Sequence, residues 1–255
     1  MPQFIIDRKQ FLLFLNRFGN TISDLRLTVR GEKVTGTVGR YTHYLTTNVS
    51  CTDGEDGIVI ISDLAKVLSF LRNSSTDDVK VQQTKPGMML YITCGNSKIH
   101  LPSMVNADSH SHAGVVEKMV KVAEETGWTK WSNKEIACYG QTTTESLKAI
   151  KDIHKVLGAN SLYHVHFMSE EGELAVKAGK QSKGRMFVTV PLENTKGPAG
   201  KCVSAFSAHF PQLIESLPNG TLDIHTGESV PFCVKHEDSD TMLVVIDQDY
   251  EEGWE

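Results

Sequence analysis

The sequence predicts an α+β protein built from two repeated halves. Three observations carry that prediction: short runs in which apolar and polar residues alternate, four amphipathic helical segments, and an element order that recurs after ~130 residues. With 255 residues, 40% of them hydrophobic, the chain has enough apolar material for two packed cores and lacks the composition of a disordered segment.

Taken in order, residues 2–7 are a short apolar strand. Residues 8–18 (RKQFLLFLNRF) follow as a helix that stops at Gly19-Asn20, residues suited to a left-handed turn. The period then changes to two. DLRLTVR (24–30) alternates strictly, Gly31-Glu32 turns the chain, and residues 33–51 continue with β-branched and aromatic residues, so three strands fit here. After a loop at 52–56 comes the strand GIVII. Ser62-Asp63 then caps the helix DLAKVLSFLRN, which places Leu64, Val67, Leu68 and Leu71 on one face. DVKVQQ, MMLYITC and SKIHLP complete the first half as three strands.

From about Lys134 the same order returns. The strand EIACYG precedes TESLKAIKDIHKVL (144–157), a helix with Leu147, Ile150, Ile153, His154 and Leu157 on one side and Lys148, Lys151 and Lys155 on another. YHVHF, ELAVKAG and RMFVTVPL are strands. A break at 194–201 and the short run CVSAF lead to the helix AHFPQLIESL (208–217). TLDIHT, VPFCVKH and TMLVVI close the half. Residues 103–133 lie between the halves, with an amphipathic helix at VVEKMVKVAEE (115–125) flanked by the loops SHSHAG and GWTKWSN. The expected division is 1–102, a connector at 103–133, and 134–255 with an acidic tail.

Net charge is −5, from 26 Lys and Arg against 31 Asp and Glu. This excludes a protein coated in nucleic acid and leaves room for local basic surface. No apolar run reaches the ~18–20 residues of a membrane span, and the N-terminus lacks the pattern of a signal peptide, so an intracellular, soluble protein without membrane partners is expected. Cys51, Cys94, Cys138, Cys202 and Cys233 stand far apart with no C-x-x-C pair, which points to reduced thiols. Asp108, His110 and His112 could be read as a metal site, but two histidines two apart in a loop fix no geometry, and no metal or other cofactor is expected. His164 and His166 share one side of a strand and read as sheet residues. Gly31, Gly36 and Gly39 lie amid strand residues, the wrong context for a phosphate loop. No G-x-S-x-G, H-E-x-x-H or P-loop motif is present, so an enzyme is not expected. The run QFLLFLNRF (10–18) superficially resembles a short Gln-and-aromatic docking peptide and is read as the core face of the first helix.

Two strand-rich halves, each with two amphipathic helices, resemble the two domains of a sliding clamp subunit of the archaeal, eukaryotic and T4-like phage type. The resemblance covers nearly the whole chain and is mainly architectural. Local matches are His43 in GRYTHYL, the strand start Val230-Pro231-Phe232, and the final strand MLVVI followed by the acidic DQDYEEGWE. The chain departs from the family in its longer, helical connector and in lacking Ala-Pro after the last strand.

The resemblance implies a DNA polymerase processivity factor: a homotrimeric ring of six domains that encircles double-stranded DNA without reading its sequence. Its partners would be a polymerase and a clamp loader. The divergent connector and sparse motifs suggest a viral clamp, acting in the host cytoplasm; otherwise it would act at the site of DNA replication. Charge distribution agrees with helices lining the hole. The four helix windows carry eight Lys and Arg against four acids, leaving the remainder of the chain at −9. The DNA-facing residues would be Arg8, Lys9, Arg17, Lys66, Arg72, Lys148, Lys151 and Lys155, drawn to phosphates rather than to bases. The family's partner-binding pocket maps onto His43, Tyr44, Pro231, Val245, Ile246 and Asp247. The rival reading is a β-rich structural or assembly protein, for example of a virion, with its lysine helices merely exposed.

Overall fold

Period-two alternation sends every second side chain of a strand to the same face, and this is how most of the strands are specified. The computed structural model describes residues 1–19, 25–39, 43–84, 89–103, 107–148, 164–170, 173–179, 187–196, 204–206, 213–214, 217–227, 230–237 and 239–245. The first half runs β1 (Gln3–Asp7), α1 (Arg8–Asn16), β2 (Leu25–Arg30), β3 (Lys33–Gly39), β4 (His43–Ser50), β5 (Thr52–Glu55), β6 (Gly57–Ile61), α2 (Leu64–Arg72), β7 (Asp78–Gln83), β8 (Met89–Cys94) and β9 (Ser97–Pro102). Then come α3 (Ala107–Glu125), β10 (Lys130–Trp131) and β11 (Lys134–Glu135). The second half has β12 (Cys138–Thr143), helical residues 144–148, β13 (His164–Glu170), β14 (Glu173–Gly179), β15 (Phe187–Pro191), β16 (Glu193–Lys196), β17 (Ser204–Phe206), helical residues 213–214, β18 (Thr221–Gly227), β19 (Val230–His236) and β20 (Met242–Val245).

The chain divides into two compact units, Met1–Gly39 with Leu45–Ala113, and Arg40–Tyr44 with Gly114–Glu255. Within the first the strand orders are β5-β1-β7-β8-β9 and β6-β2-β3-β4; within the second they are β16-β12-β18-β19-β20 and β17-β13-β14-β15. Strand for strand, these orders are identical when β1 to β9 are matched with β12 to β20. The match extends to an irregularity. β1 pairs β5 through Gln3↔Glu55 and Ile5↔Thr52 with a register shift between, and β12 pairs β16 through Tyr139↔Lys196 and Gln141↔Glu193 with the same kind of shift. The second residue of each shifted strand, Asp53 and Asn194, has positive φ (51° and 48°). Asp and Asn tolerate that region best among residues with a side chain. The expected loop at 52–56 and the first residues of the expected break at 194–201 are thus corrected: 52–55 and 193–196 form the bulged edge strands β5 and β16.

Helix α1 starts where the Asp7 carboxylate accepts from the Gln10 amide (2.9 Å), and α2 where Asp63 accepts from that of Lys66 (3.0 Å), each satisfying an otherwise orphaned N–H. The first core is an aromatic file: Phe4 against Phe11, Phe11 against Phe14 and Phe14 against Phe18, with ring centroids 5.8, 6.2 and 5.4 Å apart. All four rings are buried, so the core reading of residues 10–18 holds. Gly36 of β3 lies against this file, and a Cβ there would stand 2.4 Å from the Phe18 ring. Its reason is close packing rather than phosphate binding.

Helix α3 begins earlier than expected. Ser109 to Gly114, read as a loop, belong to the helix, and positions two apart on a helix do not share a face, which counts against His110 and His112 acting as a pair. The helix ends in a left-handed stop: Trp128 N–H reaches the Ala123 carbonyl (2.6 Å) and Gly127 N–H that of Glu124 (3.1 Å), with Gly127 at φ 62°. Trp128, itself at φ 60°, stacks on His225 (4.8 Å, 25°). Tyr139 packs on the same imidazole at 5.1 Å, and Lys235 Nζ lies 5.1 Å from the indole centre. The GWTKWSN segment, also expected as a loop, contributes β10 and the turn of its small hairpin with β11.

Candidate nucleic-acid interface

Each helix of the first unit buries one face and exposes the other. On α1 the buried residues are Phe11, Phe14 and Leu15, and the exposed ones are Lys9, Gln10, Leu13 and Asn16. On α2, Leu64, Val67, Leu68 and Leu71 are buried while Ala65, Lys66, Ser69 and Arg72 are exposed. Arg72 Nη2 donates to Asn16 Oδ1 (3.0 Å), joining the two exposed faces into one surface. That surface carries three cations and no exposed carboxylate. The half-buried acids Asp7 and Asp63 cap the two helices at its edge, and Asp63 pairs with Lys66 Nζ at 2.9 Å. Hydrogen bonds from the Lys66 side chain and backbone hold its carboxyl below the ordinary range. A surface of this composition attracts a polyanion without offering groups spaced to read bases.

The eight expected DNA-facing residues divide into four groups. Lys9, Lys66 and Arg72 are exposed on this surface. Arg8 and Arg17 are half-buried and committed elsewhere. Arg8 donates to the carbonyls of Leu71 (3.2 Å) in the last turn of α2 and of Thr76 (2.9 Å) beyond it, and Arg17 donates to Thr47 Oγ1 on β4 (2.6 Å). Burial lowers the Arg17 pKa from its ordinary value. In the second unit Lys148 donates to Asn219 Oδ1 (2.7 Å) from the first turn of the helix that Thr143 caps through the Ser146 amide. Leu147 is buried beneath that turn, and Glu145 and Ser146 are exposed. Lys151 and Lys155 lie outside the described residues. The uncharged positions Gln10, Leu13, Asn16, Ala65 and Ser69 were missed because the sequence reading followed charge alone; the helical period would have placed them.

Of the six expected pocket residues, His43, Tyr44, Pro231 and Val245 are all buried, and His43 and Tyr44 group with the second unit, to which the other two belong. Buried positions of this kind can form the floor of a docking groove or ordinary core. Ile246 and Asp247 lie outside the described residues. Among the described residues no group of His, Cys, Asp and Glu is arranged to hold a metal ion, and no helix is long and apolar enough to cross a membrane.

No protein-family model matches the sequence, and no curated protein matches it. Solved structures do match in three dimensions. The chain is similar to the DNA polymerase III beta subunit of Thermotoga maritima, with a TM-score of 0.73 and 11% identity, covering 98% of this chain and 66% of that one. It is similar to the DNA polymerase sliding clamp of Caulobacter crescentus, with a TM-score of 0.73 and 10% identity over 97% of this chain and 65% of that one. It is also similar to the PCNA of A. fulgidus solved with the C-terminal region of FEN-1 bound, with a TM-score of 0.68, 13% identity, and coverage of 99% and 100%. The chain thus spans about two thirds of the bacterial subunits and the whole of the archaeal one. At these identities the likeness establishes the fold, which is that of a sliding clamp.

Proposed function

We propose that a chain with this fold works as a sliding clamp, a ring that encircles duplex DNA and tethers a polymerase to it without catalysing a reaction. The observation that carries the proposal is the joined surface of α1 and α2, where Lys9, Lys66 and Arg72 stand exposed and neither helix contains an acidic residue. Topology would then replace affinity: ring closure prevents escape, and phosphate contacts, indifferent to sequence, permit sliding. Lys148 with Lys151 and Lys155 would continue the lining in the second unit. Arg8 and Arg17 would serve mainly to tie the helices to their surroundings.

Two units per chain and full coverage of the archaeal PCNA chain support a homotrimer of six units. The outermost strands β9 and β15 offer unpaired edges through which copies could join, and closure removes such edges. The division into 1–102, a connector at 103–133 and 134–255 belongs to the same proposal. So do a clamp loader as partner and a docking groove for client peptides floored by His43, Tyr44, Pro231 and Val245 and continued by Ile246 and Asp247.

The test replaces Lys9, Lys66, Arg72, Lys148, Lys151 and Lys155 with Ala. Lys9, Lys66 and Arg72 are exposed, and losing them should leave folding of the first unit nearly intact. The slope of log affinity for duplex DNA against log salt should flatten by about 0.9 for each phosphate that is no longer neutralised, and polymerase stimulation on primed DNA should fall. Normal stimulation by the folded variant at raised salt would mean that the helices do not face the duplex.

A further inference from the structure

The turn that leads into β18 holds the only Asn-Gly pair in the sequence, Asn219-Gly220. Its carbonyls are all engaged. Thr144, the first residue of the helix after β12, donates through Oγ1 to the Pro218 carbonyl (2.7 Å) and through its N–H to the Gly220 carbonyl (3.0 Å). His236 Nε2 lies 3.1 Å from the Asn219 carbonyl oxygen, and because that oxygen only accepts, Nε2 carries the proton. The Asn219 side chain is exposed, with Oδ1 accepting from Lys148 Nζ at 2.7 Å. The Gly220 N–H, by contrast, donates no hydrogen bond among the described residues. Glycine itself is required here, since φ is 151° and a Cβ would stand 2.4 Å from His236 Nε2.

These contacts bear on a reaction of the Asn-Gly pair. The backbone nitrogen that follows an asparagine can attack the side-chain carboxamide carbon, and a glycine places nothing beside that nitrogen to hinder it. Folding usually slows the attack by tying the N–H into a ladder or a helix. Here the nitrogen is untied, and both reacting groups are polarised. The hydrogen bond from His236 falls on the carbonyl of the same peptide group that carries the Gly220 N–H, so it draws electron density away and makes that N–H more acidic. Lys148 Nζ stands at the atom where negative charge develops when the carboxamide carbon becomes tetrahedral, the position of a preorganised oxyanion donor.

From this geometry we propose that Asn219 is a self-modifying site, which deamidates to a carboxylate and so captures Lys148. The Gly220 nitrogen gives its proton to solvent base and bonds to Cγ of Asn219, leaving an oxyanion on Oδ1 beside Lys148 Nζ. The Cγ–Nδ2 bond then breaks, and its nitrogen takes a proton from water and leaves as ammonia. Water adds to either carbonyl of the resulting cyclic imide, which opens to aspartate or to isoaspartate. Both products set a carboxylate against Lys148 where a neutral oxygen stood, and the cation becomes half of an ion pair. Isoaspartate also routes the main chain through the side-chain carbon, which shifts the Gly220 carbonyl relative to Thr144 at the start of the helix. The modification is independent of what the helices face; its effect on DNA binding rests on the function proposed above.

The test incubates the full chain at mildly alkaline pH beside a synthetic peptide, acetyl-Leu-Pro-Asn-Gly-Thr-Leu-amide, and follows the exchange of ammonia for water by mass spectrometry after proteolysis. Asn219 should convert at least as fast in the folded chain as in the peptide, and well ahead of Asn96, exposed in the turn between β8 and β9. Lys148→Met should slow conversion about tenfold, the worth of one hydrogen bond to a charged group, and Lys148→Arg should restore most of the rate. Conversion slower in the folded chain than in the peptide, a comparison that needs no variant, would overturn the proposal, as would a rate that Lys148→Met leaves unchanged. Asn219→Asp should weaken binding to duplex DNA in the parent chain but not in a Lys148→Ala chain; an equal loss in both would overturn the capture of Lys148. A parent chain that binds no duplex DNA would count against the proposed function, and the mass readout would still decide the modification.

Discussion

His225 shows how one side chain records its surroundings. Lying between the Trp128 and Tyr139 rings, its imidazole is pushed down to about 4, first by burial and then by Lys235, with Asp223 pulling the other way. It is neutral in the folded chain at pH 7, whereas the unfolded chain takes up the proton first as pH falls. Its contribution to stability is thus complete above about pH 6.5 and is lost between there and about pH 4, a change of up to ~3 kcal/mol. Urea unfolding at pH 7 and pH 4.5 should show a fall in midpoint that His225→Phe, which keeps an aromatic ring but does not titrate, largely removes. An equal fall in the variant would assign the acid sensitivity to other groups. None of this was legible in the sequence, because the stack joins a loop after α3 to β18 and β12, and pairings of that range leave no periodic trace. Asp63 was legible as a cap, since capping is local; Asp7, doing the same for α1, was passed over because it also ends a strand.

At the scale of elements, Gly36 explains why β3 accepts a residue that usually weakens strands. Phe18 and Phe14 approach its backbone so closely that a Cβ would lie 2.4 Å and 2.8 Å from their rings. Gly36→Ala should destabilise the first unit by about 1–3 kcal/mol through overpacking, read as a lower denaturant midpoint with an unchanged slope. A neutral result would mean that the rings yield more easily than a packed file suggests. Element types and their repeated order were legible because alternation and the 3.6-residue period are written directly in residue type. Two features were not. The bulged strands β5 and β16 hide in turn-like composition, and their identity rests on pairing with β1 and β12. The early start of α3 lies in a run of Ser and His that resembles a loop, though its backbone is helical. Among candidate site residues, charge identified Lys9, Lys66 and Arg72, but it could not separate them from Arg8 and Arg17, whose guanidinium groups are spent on carbonyls and a hydroxyl.

For the whole molecule, duplication is the organising fact. Matching strand orders, down to left-handed Asp53 and Asn194 at equivalent bulges, give two copies of one unit, with β9 and β15 as outer strands that have a partner on one side only among the described residues. An assembly that closes such edges into a ring is what the proposed function requires, since an open monomer cannot hold DNA by topology. The absolute mass of the purified chain, measured by light scattering across micromolar concentrations, tests this most directly. Three times the 28.2 kDa of one chain is the expected value at the upper end of the range. A mass of one chain at every concentration would contradict the ring.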